Sequence, residues 1–156
     1  MELDGHLFGD GQPCFGCGPD HPIGFRLRFA VEGLEVVTRF TPGPRYQGPP
    51  GIFHGGLVMT LGDELAAWTL VGLEQRFGFT TRADMRLAKA TRIGVEIEGR
   101  GRILKSGRRL VDLGVVLRQE GVTTAEGTFR FVVLDEAGAE RLLGQPLTEA
   151  WKRMTR

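Results

Sequence analysis

Between residues 55 and about 75 the sequence carries an apolar run at helical spacing that is too apolar to lie on a surface. Leu57, Val58, Leu61, Leu65, Trp68 and Val71 keep the three-four rhythm of a helix. They cover more than one stripe, which predicts a helix buried on most of its sides. Only Asp63 and Glu64 interrupt it with charge before Glu74. A chain built around such a helix must also supply a surface that wraps it.

Strand-like segments supply that surface. From Gly24 onward Phe25, Leu27 and Phe29 alternate with Arg26 and Arg28, the pattern of a half-buried strand. Glu32-Gly33 makes a turn, and residues 34–40 read as the hairpin partner. After the helix, residues 77–87, 95–104, 110–117 and 122–134 read as strands, with turns at Ser106-Gly107 and Glu120-Gly121. The 24 glycines, about twice average usage, fit a chain with many tight turns. Two strands, one long helix and about four more strands predict an α+β fold. One antiparallel sheet must curl around the helix. Residues 1–22 are rich in Gly and Pro and predict an irregular segment. Residues 41–51 hold four prolines, which excludes a regular element. The tail, 136–156, carries a weak helical pattern from Leu142 to Met154. No internal repeat or second domain is visible, so residues 1–156 are expected to form a single domain.

Charge and composition narrow the function. Twenty Lys plus Arg stand against 19 Asp plus Glu, a net charge of +1. That balance offers no electrostatic case for a nucleic-acid partner. No stretch is read as approaching the roughly 20 apolar residues of a membrane span. The N-terminus has acids and no apolar signal region. Two cysteines make no disulfide framework. The expectation is a soluble cytoplasmic protein with no membrane partner.

Acids in the middle of a buried helix need a reason, since burying a carboxylate costs several kcal/mol unless it is paired or used. Asp63 and Glu64 are adjacent and diverge by about 100°, so they serve different surroundings. Asp63 shares its face with Met59, Thr60, Ala66 and Ala67, mostly small residues that leave room for a substrate. Glu64 either lines the substrate site or faces solvent or an arginine. His54-Gly55-Gly56 stands at the helix start, where unpaired N–H groups and the positive dipole end lie. Glycine allows close approach to that backbone, which suits an oxyanion site for acyl transfer. A plain helix start, with glycine easing the turn, is the other reading of HGG.

The stretch GPPGIFHGGLVMTLGDELAAW resembles the signature of the hotdog-fold thioesterases, in their PaaI-like and Them4-like branch. Nine residues separate His54 from the acid, Asp63, as in that pattern. CFGCGPDHPIGFRLRF is similar to the opening segment of many bacterial members. TTRADMRLAKATRIG is similar to the strand after the helix, with Thr80 at a Thr/Ser position and Ala90 in place of a frequent Pro. The similarity spans about residues 14–134. It implies a hotdog fold, one long central helix wrapped by a curved antiparallel sheet of five or six strands. It further implies a homodimer or dimer-of-dimers tetramer with acyl-CoA sites between subunits. Gly55 would supply the oxyanion N–H, and Asp63 would be nucleophile or general base. Thr80 would hold the water or the carboxylate, and His54 would order the loop. Gly56 and Glu64 would line the substrate site. Members often carry Asn or Gln six residues before the HGG histidine. Gly48 stands there, and Gln47, one residue further back, reaches the position only with a loop shift.

Helix geometry bears on the dimer independently. Gly55 and Asp63 are eight residues apart, about 12 Å along a helix. Donor and carboxylate must each come within about 3 Å of the reacting group. A two-fold pair of chains can supply both, in two equivalent sites.

The implied reaction is hydrolysis of an acyl-CoA thioester to a carboxylic acid and free CoA thiol. An ionised carboxylate suffices to attack the carbonyl or activate water, so neither metal nor organic cofactor is required. Only three histidines are present, with no nucleophile elbow. Cys14 and Cys17 form a CxxC that supplies two ligands where structural zinc wants four. His6 and His21 are the residues that could complete the set. The alternative reading is a pair of small buried residues ordering the N-terminal loop. Trp68 and Trp151 are read as packing residues. Two other functions stay open: an enoyl-thioester hydratase or dehydratase on the same fold, and a non-catalytic acyl-CoA binding protein.

Overall fold

The structure, a computed structural model, describes residues 1–155. Seven strands form one antiparallel sheet: β1 (Glu2–Asp4), β2 (Arg28–Glu32), β3 (Glu35–Phe40), β4 (Gly78–Leu87), β5 (Ile97–Ser106), β6 (Leu110–Gln119) and β7 (Val122–Val133). Their order across the sheet is β1-β2-β3-β5-β6-β7-β4, which leaves β4 as an edge. The helix α1 (Gly55–Glu74) packs along the sheet, and α2 (Glu136–Leu143) and α3 (Glu149–Lys152) follow β7. This is the α+β hotdog arrangement.

Helix α1 starts and stops for local reasons. His54 caps it, its Nδ1 accepting the N–H of Gly56. Gln75 ends it in the left-handed conformation, at φ 52°. Its interior is buried around most of the circumference, with Leu61 and Leu65 fully so and Trp68 and Leu70 nearly so. By length and composition alone α1 could cross a bilayer. That correction to the sequence reading has a simple cause: Asp63 and Glu64 interrupt the apolar run, but the residues around them keep the helix apolar on average. The sheet lies against the helix across β2 through β7.

Close approach between helix and sheet rests on two glycines of β5. A Cβ at Gly101 would lie 2.0 Å from Thr69 Oγ1, and one at Gly99 would lie 2.9 Å from Leu65 Cδ2. The inward positions of β5 thus run Ile97, Gly99, Gly101, the alternation seen in the sequence with its bulk removed where the helix passes.

Three expectations are corrected. The sheet has seven strands, not five or six, because residues 1–22 are not wholly irregular: β1 pairs with β2, Leu3 opposite Phe29. A three-residue strand carries too little periodicity to be read. The strand expected from Gly24 begins at Arg28. Arg26 has φ 54°, and the N–H groups of Phe25 and Leu27 donate instead to the carbonyls of Phe15 and Gly16. Phe25, Leu27 and Phe29 are nevertheless all buried, so the alternation reported side-chain direction correctly. The tail pattern resolves into two helices, separated by Gly144 at φ 68° and by Pro146.

The chain ends pack on each other. Phe8 lies 4.5 Å from Trp151 between ring centroids, and Phe77 lies 4.5 Å from the same ring. Phe77 N–H donates to the carbonyl of Met154. N-terminal segment, α3 and the start of β4 therefore form one wall.

Gly101→Ala tests the helix-sheet approach. Thr69 is fully buried and cannot retreat into solvent, so the variant is expected to lose about 1–3 kcal/mol. A urea midpoint equal to wild type would show that α1 does not depend on the gap.

Candidate active site

Asp63 sits in the third turn of α1, half-buried. Thr80 Oγ1, at the start of β4, donates to its Oδ1 at 2.5 Å. Burial pushes the Asp63 carboxyl above its ordinary value, and the Thr80 hydroxyl works against that shift. Beside it opens a cavity of about 570 Å³, within the size range of small-molecule sites. Asp63, Glu64 and Thr80 line it together with Trp68, Phe79 and Trp151. The two tryptophans pack, as the sequence suggested, but they also wall this cavity.

Glu64 points away from Asp63 into a second cluster. Cys14 Sγ and Glu64 Oε1 lie 3.1 Å apart and share a hydrogen bond. Gly16 passes so close that a Cβ there would lie 2.1 Å from Glu64 Cγ. Burial, followed by the neighbouring Cys14, pushes the Glu64 carboxyl up to about 8. The Cys17 thiol donating to Cys14 is the main cause that brings Cys14 down to about 5, against the effect of burial. Cys17 itself is pushed up, first by that same bond and then by burial. Among the described residues no cation pairs with Asp63 or Glu64; the charges acting on them come from Cys14 and, for Glu64, from Asp63.

The other expected residues lie at the helix start. Gly55 is half-buried, near Leu87 at the far end of β4. Its N–H has no acceptor among the described residues, as an oxyanion donor requires. Gly56 differs, because its N–H is taken by His54 Nδ1 at 3.0 Å. His54 is thereby a cap, and its own N–H donates to the Tyr46 carbonyl. Gln47 Oε1 accepts the Gly51 N–H at 2.9 Å and closes the loop before HGG.

One chain thus brings together Asp63, Glu64 and Thr80 on one cavity, and places Gly55, His54, Gly56 and Gln47 outside it. Cys14 and Cys17 line the cavity as well, with Glu64 where His6 or His21 was considered. His6 pairs with Asp4, and His21 lies against Phe15. A buried acid with no basic partner in the sequence was the available signal.

Helix and curled sheet define the chain as a hotdog-fold protein, and comparison with known proteins agrees. The family model of the thioesterase superfamily matches residues 50–126. The chain belongs to that superfamily. Among solved structures it is similar to zebra fish thioesterase superfamily member 2. Identity is 22%, coverage 74% of this chain and 89% of the other, and TM-score 0.66. It is similar to smu.793 from Streptococcus mutans UA159 bound to acetyl CoA, at 19% identity, 69% and 87% coverage, and TM-score 0.64. A thioesterase superfamily protein from Shewanella loihica PV-4 shares 25% identity over 68% of this chain and 89% of its own, with TM-score 0.60. No curated protein matches the sequence.

The Thr80 bond makes a direct prediction. Thr80→Val removes the donor that favours the ionised carboxylate, so Asp63 should ionise at higher pH than in wild type. The 13C shift of its carboxyl carbon, followed through a pH titration, reads this. An unmoved midpoint would mean that Thr80 only packs.

Proposed function

We propose that this protein is an acyl-CoA thioesterase, hydrolysing a thioester to a carboxylic acid and free CoA thiol. The observation that carries the reading is the Asp63 carboxylate, held by Thr80 at the wall of a largely apolar cavity. The acyl group would occupy that cavity. Asp63 would then attack the thioester carbonyl, expelling the thiolate and leaving a mixed anhydride that water hydrolyses to the acid, or would draw the proton from a water that attacks the carbonyl and expels the thiolate directly. The acetyl CoA bound to the Streptococcus mutans neighbour supports CoA as the carrier.

The oxyanion donor in this reading comes from a second copy of the chain. Helix α1 is continuous from Gly55 to Asp63, so the two stand about 12 Å apart. Edge strand β4 offers its ten residues to a partner. Thr80, beside Asp63, lies near one end of β4, and Leu87, beside Gly55, lies at the other. Antiparallel pairing of two β4 strands about a two-fold near their middle would bring the Gly55 end of one copy to the Asp63 end of the other.

Free-thiol release from short, medium, long and aromatic acyl-CoAs tests the activity. Asp63→Asn is expected to lower kcat by at least about 100-fold. Unchanged turnover would remove Asp63 from the chemistry, and no turnover by wild type on any substrate would leave a binding protein.

A mixing experiment tests the shared site. Gly55→Pro deletes the N–H at a helix position that tolerates proline, and is expected to be inactive, as is Asp63→Asn. Dimers re-formed from equal amounts of the two should recover about a quarter of wild-type activity, because half are mixed and each mixed dimer has one intact site. No recovery, with mixed dimers shown to form, would place both residues in one chain's site.

A further inference from the structure

Two thiols and a carboxylate stand together beside the cavity and have no task in the chemistry argued for Asp63. Cys14, Cys17 and Glu64 each present one ligand atom, and the three atoms lie within 4.8 Å of one another. Two come from a tight N-terminal loop and the third from the middle of α1. We propose that Cys14, Cys17 and Glu64 form a binding site for a divalent cation of the zinc type, with its fourth position open to the cavity.

The spacing suits the ion. Zinc takes thiolate sulfur at about 2.3 Å and carboxylate oxygen at about 2.0–2.2 Å. Tetrahedral geometry then sets these ligand atoms about 3.5–3.8 Å apart. The 3.1 Å between Cys14 Sγ and Glu64 Oε1 is close to that, and small side-chain rotations admit the ion. Two sulfurs and one oxygen select a borderline-soft metal over magnesium or calcium, which require oxygen throughout. Three protein ligands with one open position is the arrangement of zinc sites that accept a further molecule, not of closed structural ones.

The surroundings orient the ligands. Cys14 O accepts the Gly18 N–H at 2.8 Å, closing the CxxC loop on itself. Gln12 bridges the two cysteines, its Nε2 donating to Cys17 Sγ at 3.3 Å and its Oε1 accepting the Cys14 N–H. Outer bonds of this kind fix metal-binding side chains. Gly16 leaves room for Glu64 to reach the thiols, where any Cβ would collide with it. Cys14 and Cys17 lie before the segment matched by the family model, residues 50–126. The site therefore joins the N-terminal loop to the central helix α1.

Metal content is measured independently of any activity. Full-length protein purified under reducing conditions is analysed for zinc, then stripped with a chelator and titrated with Zn²⁺ against a chromophoric competitor. About one equivalent per chain is expected, with Mg²⁺ failing to displace it. Cys14→Ser should abolish uptake, and Glu64→Gln should weaken it by at least about tenfold. Far-UV circular dichroism shows whether each variant is folded, and the wild-type arm stands whatever the variants do. Titration of wild type with Cd²⁺ should add a sulfur-to-metal charge-transfer band. Wild-type protein with reduced thiols that takes up no Zn²⁺ at micromolar concentration would overturn the proposal. So would equal uptake by folded Cys14→Ser.

Discussion

The structure depends on how closely α1 can lie against β5. A helix buried on most sides needs a sheet that curves around it, and that curvature needs one line along which the two backbones approach. Gly99 and Gly101 provide that line, with Leu65 and Thr69 of the helix filling the space their missing side chains leave. Thr69 is the telling residue. Its hydroxyl is fully buried and returns to the helix, donating to the Leu65 carbonyl at 2.6 Å, so it presents only apolar atoms and a satisfied oxygen to the strand.

That seating fixes the directions of the two acids. With one face of α1 committed to β5 and β3, Asp63 and Glu64 emerge on the side where the N-terminal segment, the start of β4 and the tail converge. The aromatic packing of Phe8, Phe77 and Trp151 holds these segments together and encloses a cavity that the helix and sheet alone would leave open. The acids thus meet a wall assembled from both ends of the chain. Sequence periodicity does not describe such a wall, because its residues belong to no long regular element.

This explains what could be read in advance. Helix α1 was legible almost to the residue because its pattern is long and its start carries a local signal at His54-Gly55-Gly56, whereas its end at Gln75 shows only as the loss of the pattern. Strands β3 through β7 were legible from alternation and from turns such as Glu120-Gly121. Strand β1 was not, since three residues cannot show a period. The start of β2 was misplaced because Arg26 takes a left-handed conformation that keeps the side chains alternating while breaking the ladder. Within the site, Asp63 and Thr80 could be named from a family resemblance, but the partner of Glu64 could not. Fifty residues separate Glu64 from Cys14, and only the fold of an apparently irregular segment brings them together.

Two adjacent carboxylates on one helix have been given different chemistry by what faces them. The residues are one position apart, so their side chains diverge by about 100°. Asp63 meets a hydroxyl that donates to it, which favours the ionised form and offsets part of the larger effect of burial. Glu64 meets a thiol, and burial dominates. The same device that keeps them from sharing a site, the helical turn itself, allows one to be held by a hydroxyl at the cavity wall and the other to be buried against sulfur. A single acid would have to serve one surrounding or the other. A pair at this spacing links the cavity to the N-terminal loop through one turn of backbone, so a group bound at Cys14, Cys17 and Glu64 would hold rigid the segment of α1 that positions Asp63.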